Sequence, residues 1–141
     1  MEPPKLSRLT ADQYNAELQR LAKQMEGAVR TRGRGLGVGS GSRSTGRGLS
    51  TLRGFTKKSG GEVDHLGIRF KRYLIFIEHG VGGGSTSARN PKPFLSAGID
   101  QYHGKVADTV ANYHAQDQVA IHDQGLQEID KRSTSIRIVK R

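Results

Sequence analysis

The stretch from Gly27 to Gly61 constrains this chain more than any other feature. It holds no acidic residue, eight cations (Arg30, Arg32, Arg34, Arg43, Arg47, Arg53, Lys57 and Lys58) and eleven glycines. Glycine has no side chain to bury and loses the most backbone freedom on ordering. The Arg/Gly/Ser run over 30–48 therefore predicts a flexible basic loop. The same stretch carries +8 of a net charge of +10, and the rest of the chain is nearly neutral. Such a surface attracts polyanions, acidic proteins or anionic headgroups, and it says nothing about fold.

The core must come from the flanking segments. With 141 residues, 33% of them apolar, the chain is long enough for one domain of ordinary size. Residues 1–116 are expected to form a single domain, with 117–141 as a C-terminal extension or arm. No cysteine is present, which removes disulfide frameworks, thiolate zinc sites and cysteine nucleophiles. The first residues carry no apolar signal region, and the longest apolar run is Leu74 to Ile77. A secreted or membrane-spanning chain is not expected, nor is a membrane partner.

Thr10-Ala-Asp-Gln13 reads as a capping box. Behind it Tyr14, Leu18, Leu21, Met25 and Val29 recur at three- and four-residue steps, so an amphipathic helix is predicted from about Ala11 to Ala28. Leu49, Leu52 and Phe55 suggest a short helix closing near Gly54. Leu66, Ile68 and Phe70 alternate with Gly67 and Arg69, the pattern of a half-buried strand. Tyr73 to Ile77 is continuously apolar, which fits either a buried strand or a short helix. Gly80 to Ser87 is a loop by composition.

A second helix is predicted from Pro93, where a missing N–H needs no partner. Leu95, Ile99, Tyr102, Val106, Val110 and Tyr113 fall within roughly an 80° stripe at 100° per residue. Tyr73, Phe76 and Ile77 are expected to pack under that stripe as core. Beyond Gln116 the pattern decays, until Ile136 and Ile138 alternate around Arg137 as a terminal strand or extended arm. The fold class is α+β, a small antiparallel sheet packed by an N-terminal and a long C-terminal helix.

Catalytic chemistry finds no foothold. Gly41 to Gly48 departs from a phosphate-binding loop, with Arg47 and Gly48 where lysine and a hydroxyl residue belong. His103 and His114 share a helix face but stand roughly 16 Å apart at 1.5 Å per residue, too far for one ion. Glu78 and His79 are adjacent, so on a helix or a strand they point in different directions. No enzyme activity, cofactor or metal is expected.

Three segments resemble a known family. Tyr73-Leu-Ile-Phe76-Ile-Glu78-His-Gly80 is similar to the Tyr-Ala-x-Tyr-Val-Glu-Phe-Gly signature of tailed-phage head–tail joining and tail-completion proteins, the minor-tail-protein-Z-like neck group. Arg89-Asn-Pro-Lys-Pro93-Phe94-Leu95 resembles that family's Ala-Arg-Pro-Phe-Leu, and Thr45-Gly-Arg-Gly-Leu49-Ser-Thr-Leu52 its Thr-Gly-x-Leu-x-x-Ser-Ile. Order and spacing agree over about Thr45 to Tyr113. The second segment continues through Ser96-Ala-Gly-Ile99 against the family's Arg-Pro-Ala-Leu, so Ala97 and Gly98 depart from Pro-Ala; His79 departs from the usual aromatic, and the basic loop and the segment after Gln116 are additions.

The resemblance implies a small α+β subunit that assembles into a homo-oligomeric ring around the DNA channel, between portal and tail. It places the protein in the virion neck or tail, assembled in the host cytoplasm, beside adjacent neck, portal or tail proteins. The eight cations are then expected to meet an adjoining protein first and packaged DNA second. Read from the residues themselves, Glu78 before glycines is a candidate for capping loop amides or pairing with an arginine of a neighbouring subunit, beside the plain alternative of a solvated charge. Composition alone suggests a different reading, a non-specific nucleic-acid-binding protein. Arg/Gly-rich binders interleave aromatics for base stacking, and Gly27 to Gly54 holds none.

Overall fold

A computed structural model describes residues 9–40, 46–80 and 90–133. Helix α1 (Ala11–Gly35) opens at the predicted capping box: the Thr10 hydroxyl accepts from the Gln13 amide at 3.2 Å, and the Gln13 carboxamide accepts from the Thr10 amide at 2.9 Å. A short α2 (Arg47–Ser50) follows, then strands β1 (Arg53–Ser59) and β2 (Glu62–Arg69), α3 (Tyr73–His79) and α4 (Leu95–Ser133). The two strands pair antiparallel, from Arg53↔Arg69 to Ser59↔Glu62, with a bulge at Lys57/Lys58. Both long helices and the small antiparallel sheet agree with the α+β expectation.

Several boundaries differ from those expected. Helix α1 runs seven residues past Ala28, so Arg30, Arg32 and Arg34 stand on its final turns rather than in a loop. Tertiary packing explains the extension. Val29 is fully buried, and Gly33 lies so close to Leu49 and Phe94 that an added Cβ would sit 2.7 Å from the Leu49 side chain. Arginines in the last turn also suit the negative end of the helix dipole.

Phe55, expected near the end of a short helix, lies instead in β1. Gly60 and Gly61, at φ of 60° and 88°, form the two-residue turn that returns the chain into β2. The Tyr73–Ile77 run is helical. Helix α4 continues through residues 117–133, so the expected boundary at 117 falls inside it. The terminal strand expected at Ile136 and Ile138, and the loop after Gly80 as far as Ser87, lie outside the described residues.

Two apolar clusters hold the elements together. One joins Val29, Val38, Leu49, Leu52, Leu74, Phe94 and Leu95; the other joins Tyr14, Leu18, Leu21, Val63 and Tyr113, flanked by Tyr102, Val106 and Val110. Tyr14 and Tyr113 stack with ring centroids 4.0 Å apart, tying α1 to α4. Gly54 and Gly98 let β1 and α4 come close against α1. A Cβ at Gly54 would lie 2.2 Å from the Ala22 carbonyl oxygen, and one at Gly98 would lie 2.5 Å from Val29 Cγ2.

Polar side chains of α1 fasten the hairpin at both ends. Asn15, buried among apolar residues, donates to the Gly61 carbonyl at 2.9 Å and accepts from the Val63 amide at 2.8 Å. Glu26 accepts from the Gly54 amide at 2.9 Å and from Arg30 at 2.7 Å. Buried polar groups left unpaired cost about 1–3 kcal/mol each, so these bonds specify where the hairpin sits.

Candidate functional site

Described residues of two of the three segments, 73–80 and 92–95, meet at one junction. Helix α3 ends at Gly80, which takes the left-handed conformation (φ 70°) that glycine adopts without a Cβ penalty. The chain returns at Lys92, whose amide donates to the Glu78 carbonyl at 3.0 Å. Phe94 is fully buried, Leu95 nearly so, and Pro93 stays exposed at the approach to the helix.

The Glu78 carboxylate lies under the first turn of α4. Its Oε2 accepts from the Leu95 amide at 2.6 Å and its Oε1 from the Ser96 amide at 2.9 Å. A buried charge is tolerable where backbone N–H groups and a helix N-terminus neutralise it. Glu78 therefore acts as the N-terminal cap of α4. Of the two expectations for it, amide capping is observed, and the amides belong to a helix rather than to a glycine loop. His79, its neighbour, is exposed on the outer side of α3.

Tyr73 and Phe76 do not join the core, contrary to expectation. Leu74 and Glu78 occupy the buried side of α3, while Tyr73, Ile75 and Phe76 are 45%, 40% and 46% exposed. With 100° per residue, one face of a seven-residue helix can turn inward. Leu74 takes that place because it reaches Gly48 and the cluster around Leu49, with Tyr73 laid across Gly48 from outside. Ile77 is half-buried against the same cluster.

The cations separate into two groups. Arg30 is committed within the fold, bonding Glu26 and the carbonyls of Leu49 and Leu52 at 3.3 and 3.2 Å. Arg53 donates to the Ser50 and Leu52 carbonyls at 2.9 and 2.8 Å and stands 3.9 Å from Glu26, but its side chain remains 64% exposed. Arg32, Arg34, Arg47, Lys57 and Lys58 are exposed. Arg43 lies outside the described residues.

Between β2 and α4 lies a groove of about 510 Å³, with Leu18, Val63, Ile99, Val106 and Val110 on its floor and His65, His103 and His114 at its rim. His65 pairs with Asp64 at 2.9 Å, and that hydrogen bond holds the Asp64 carboxyl below its usual range. Burial, with Glu62 nearby, pushes the Tyr14 hydroxyl above its ordinary value. No group of three His, Cys, Asp or Glu among the described residues is placed to hold a metal ion.

Sequence reasoning missed Asn15 and Glu26. Asn15 carried a usable signal, since it falls on the apolar stripe of α1 between Tyr14 and Leu18, where a polar side chain needs a partner. Among the described residues, no helix is long and apolar enough to cross a membrane. Comparison with protein-family models, curated proteins and solved structures finds no match.

Proposed function

We propose that this chain is a virion structural protein, a ring-forming subunit of the phage neck that joins head to tail, or completes the tail, around the DNA channel. The observation that carries the reading is the exposed apolar face of α3. Three large apolar side chains on a seven-residue helix, each 40–46% exposed, make a patch that a monomer has reason to cover.

A closed ring needs two different patches on each subunit, because its interface is heterologous. Helix α4 offers the second. Among the described residues its last bond to the segment leading into α1 is from the Leu9 amide to Gln116 at 3.0 Å, and beyond it Val119 and Leu126, seven residues apart on one face, are 60% and 53% exposed. The three motif segments agree with the neck-protein pattern in order and spacing, and the first two meet through Glu78 and Leu95. The reading gives the protein no catalytic activity and no cofactor. Its partners are its own copies and adjacent neck, portal or tail proteins.

Sedimentation velocity on the purified chain tests the reading. Wild type is expected to sediment as an oligomer, and Phe76→Asp as a monomer with an unchanged melting temperature. A wild-type monomer at all concentrations, or an oligomer indifferent to Phe76→Asp, would overturn it. The exposed Arg32, Arg34, Arg47, Lys57 and Lys58 favour a second reading, non-specific nucleic-acid binding as the main activity.

A further inference from the structure

The outward face of the β1–β2 hairpin combines features that ring assembly does not use. Alternation along the strands, its phase shifted on β2 by the bulge opposite Lys57/Lys58, directs Gly54, Val63, Leu66 and Ile68 toward α1 and its core, and directs Arg53, Phe55, Lys57, Gly67 and Arg69 to the opposite side, with His65 at the edge beside the groove. In register, Arg53 faces Arg69, Phe55 faces Gly67 and Lys57 faces His65. The face is thus two rows of cationic or titratable side chains with one phenyl ring between them.

Like charges directly across a strand pair are destabilising. The fold relieves this only in part. The Arg69 guanidinium lies over the Phe55 ring, 4.6 Å from its centroid, and Phe55 in turn packs against Gly67. The nearest carboxylate to Arg53 is Glu26, already engaged by Arg30 and by the Gly54 amide. Among the described residues, neither Lys57 nor Arg69 has a carboxylate within salt-bridge distance; Asp64, the anion at the middle of β2, is bonded to His65 and feels the Lys57 charge only from further off.

We propose that this face binds the phosphate backbone of duplex nucleic acid, with Arg53, Lys57 and Arg69 meeting the phosphates. Charge complementarity selects the occupant. A protein interface draws most of its energy from an apolar centre with aromatic anchors, and the phenyl ring here is already covered by Arg69 and Gly67. That same cover leaves no open ring for stacking of single-stranded bases. What remains is a narrow cationic ribbon, of the width that a duplex groove admits. The inference goes beyond the ring reading, since a subunit that never closes a ring can still bind through this face.

Fluorescence anisotropy of the full chain with a labelled duplex of arbitrary sequence tests it, over a range of salt. Wild type is expected to bind with a steep salt dependence. Lys57→Ser with Arg69→Ser is expected to weaken binding about tenfold and to lower the slope of log K against log salt by roughly 1.8, at about 0.9 for each phosphate no longer neutralised. Lys57→Arg with Arg69→Lys keeps both charges and is expected to bind as wild type does. Arg32→Ser with Arg34→Ser removes the same charge from α1 and is expected to change the slope much less.

Equal losses from the hairpin pair and the α1 pair would show that net charge alone matters, and would overturn the assignment. So would a charge-keeping pair as defective as the serine pair, or a wild-type chain that ignores duplex. A chain that ignores duplex yet needs Lys57 and Arg69 for assembly would assign the face to an acidic protein surface instead. Sedimentation of the same variants separates the two claims: lost DNA affinity with intact oligomers supports the face, and lost oligomers with intact affinity bears on the ring.

Discussion

Replacing Glu78 by alanine should destabilise the junction of α3 and α4 by removing the cap of the longer helix. The carboxylate is buried and accepts two backbone bonds, at 2.6 Å from Leu95 and 2.9 Å from Ser96. Hydrogen bonds to a charged group contribute about 1.5–3 kcal/mol each, and two orphaned amides near a core add a desolvation penalty when the acceptor goes. Because such terms overlap, a loss of about 3–4 kcal/mol is expected, against a total of about 5–15 for a domain. At roughly 4 °C per kcal/mol for a chain of this size, the melting temperature should fall by about 12–16 °C. Glu78→Gln keeps one acceptor oxygen but sets an amide N–H₂ against the other backbone N–H, so it should cost about 2 kcal/mol. Circular-dichroism melts of the three proteins should rank wild type, Gln, Ala. Hydrogen exchange at Leu95 and Ser96 should quicken in the same order. An alanine variant that melts within about 2 °C of wild type would refute the capping role.

Other expectations follow from close contacts and from titration. Gly54→Ala places a methyl group 2.2 Å from the Ala22 carbonyl oxygen, so α1 and the hairpin must part. We expect a loss of roughly 3 kcal/mol in urea unfolding, at the upper end for an overpacked site. Tyr14 has its hydroxyl raised above the usual 10.0 by burial and by Glu62. The stability tied to that raised value is present below pH 10.0 and is lost as pH rises through the folded value. Tyr14→Phe should therefore flatten the alkaline limb of the stability profile above that pH. The same variant should cost about 1 kcal/mol near neutrality, because it frees the Val63 carbonyl now bonded at 3.3 Å.

The parts of the fold legible in the sequence were those where local signals and packing agree. Thr10 and Gln13 announce the start of α1 through capping chemistry within one segment, and the Leu95-to-Tyr113 stripe announces α4 through periodicity alone. The end of α1 was not legible. Arg30 to Gly35 has the composition of a loop, and only Val29 and Gly33 packing against Leu49 and Phe94 keep it helical. Strand β1 was missed because Arg53-Gly-Phe-Thr-Lys-Lys shows no apolar alternation and is held by its partner strand. The Gly60-Gly61 pair was the overlooked sign of a hairpin.

At the site, the motif residues were legible but their burial was not. Apolarity alone put Tyr73 and Phe76 in the core, whereas a single helix turns only one face inward, and Leu74 holds it. The inward turn of Glu78 depends on Leu95 and Ser96, seventeen and eighteen residues further on. The basic hairpin face was legible only in half. Arg53 and Lys57 stood out as cations, but Arg69 and Phe55 join them through a strand register that composition does not encode.

Electron microscopy of the purified chain tests the central claim most directly. Class averages should show closed rings of uniform copy number with a central opening wide enough for duplex DNA, and Phe76→Asp should abolish them under the same conditions. Wild-type particles that are monomers or two-fold dimers without an opening would contradict the account.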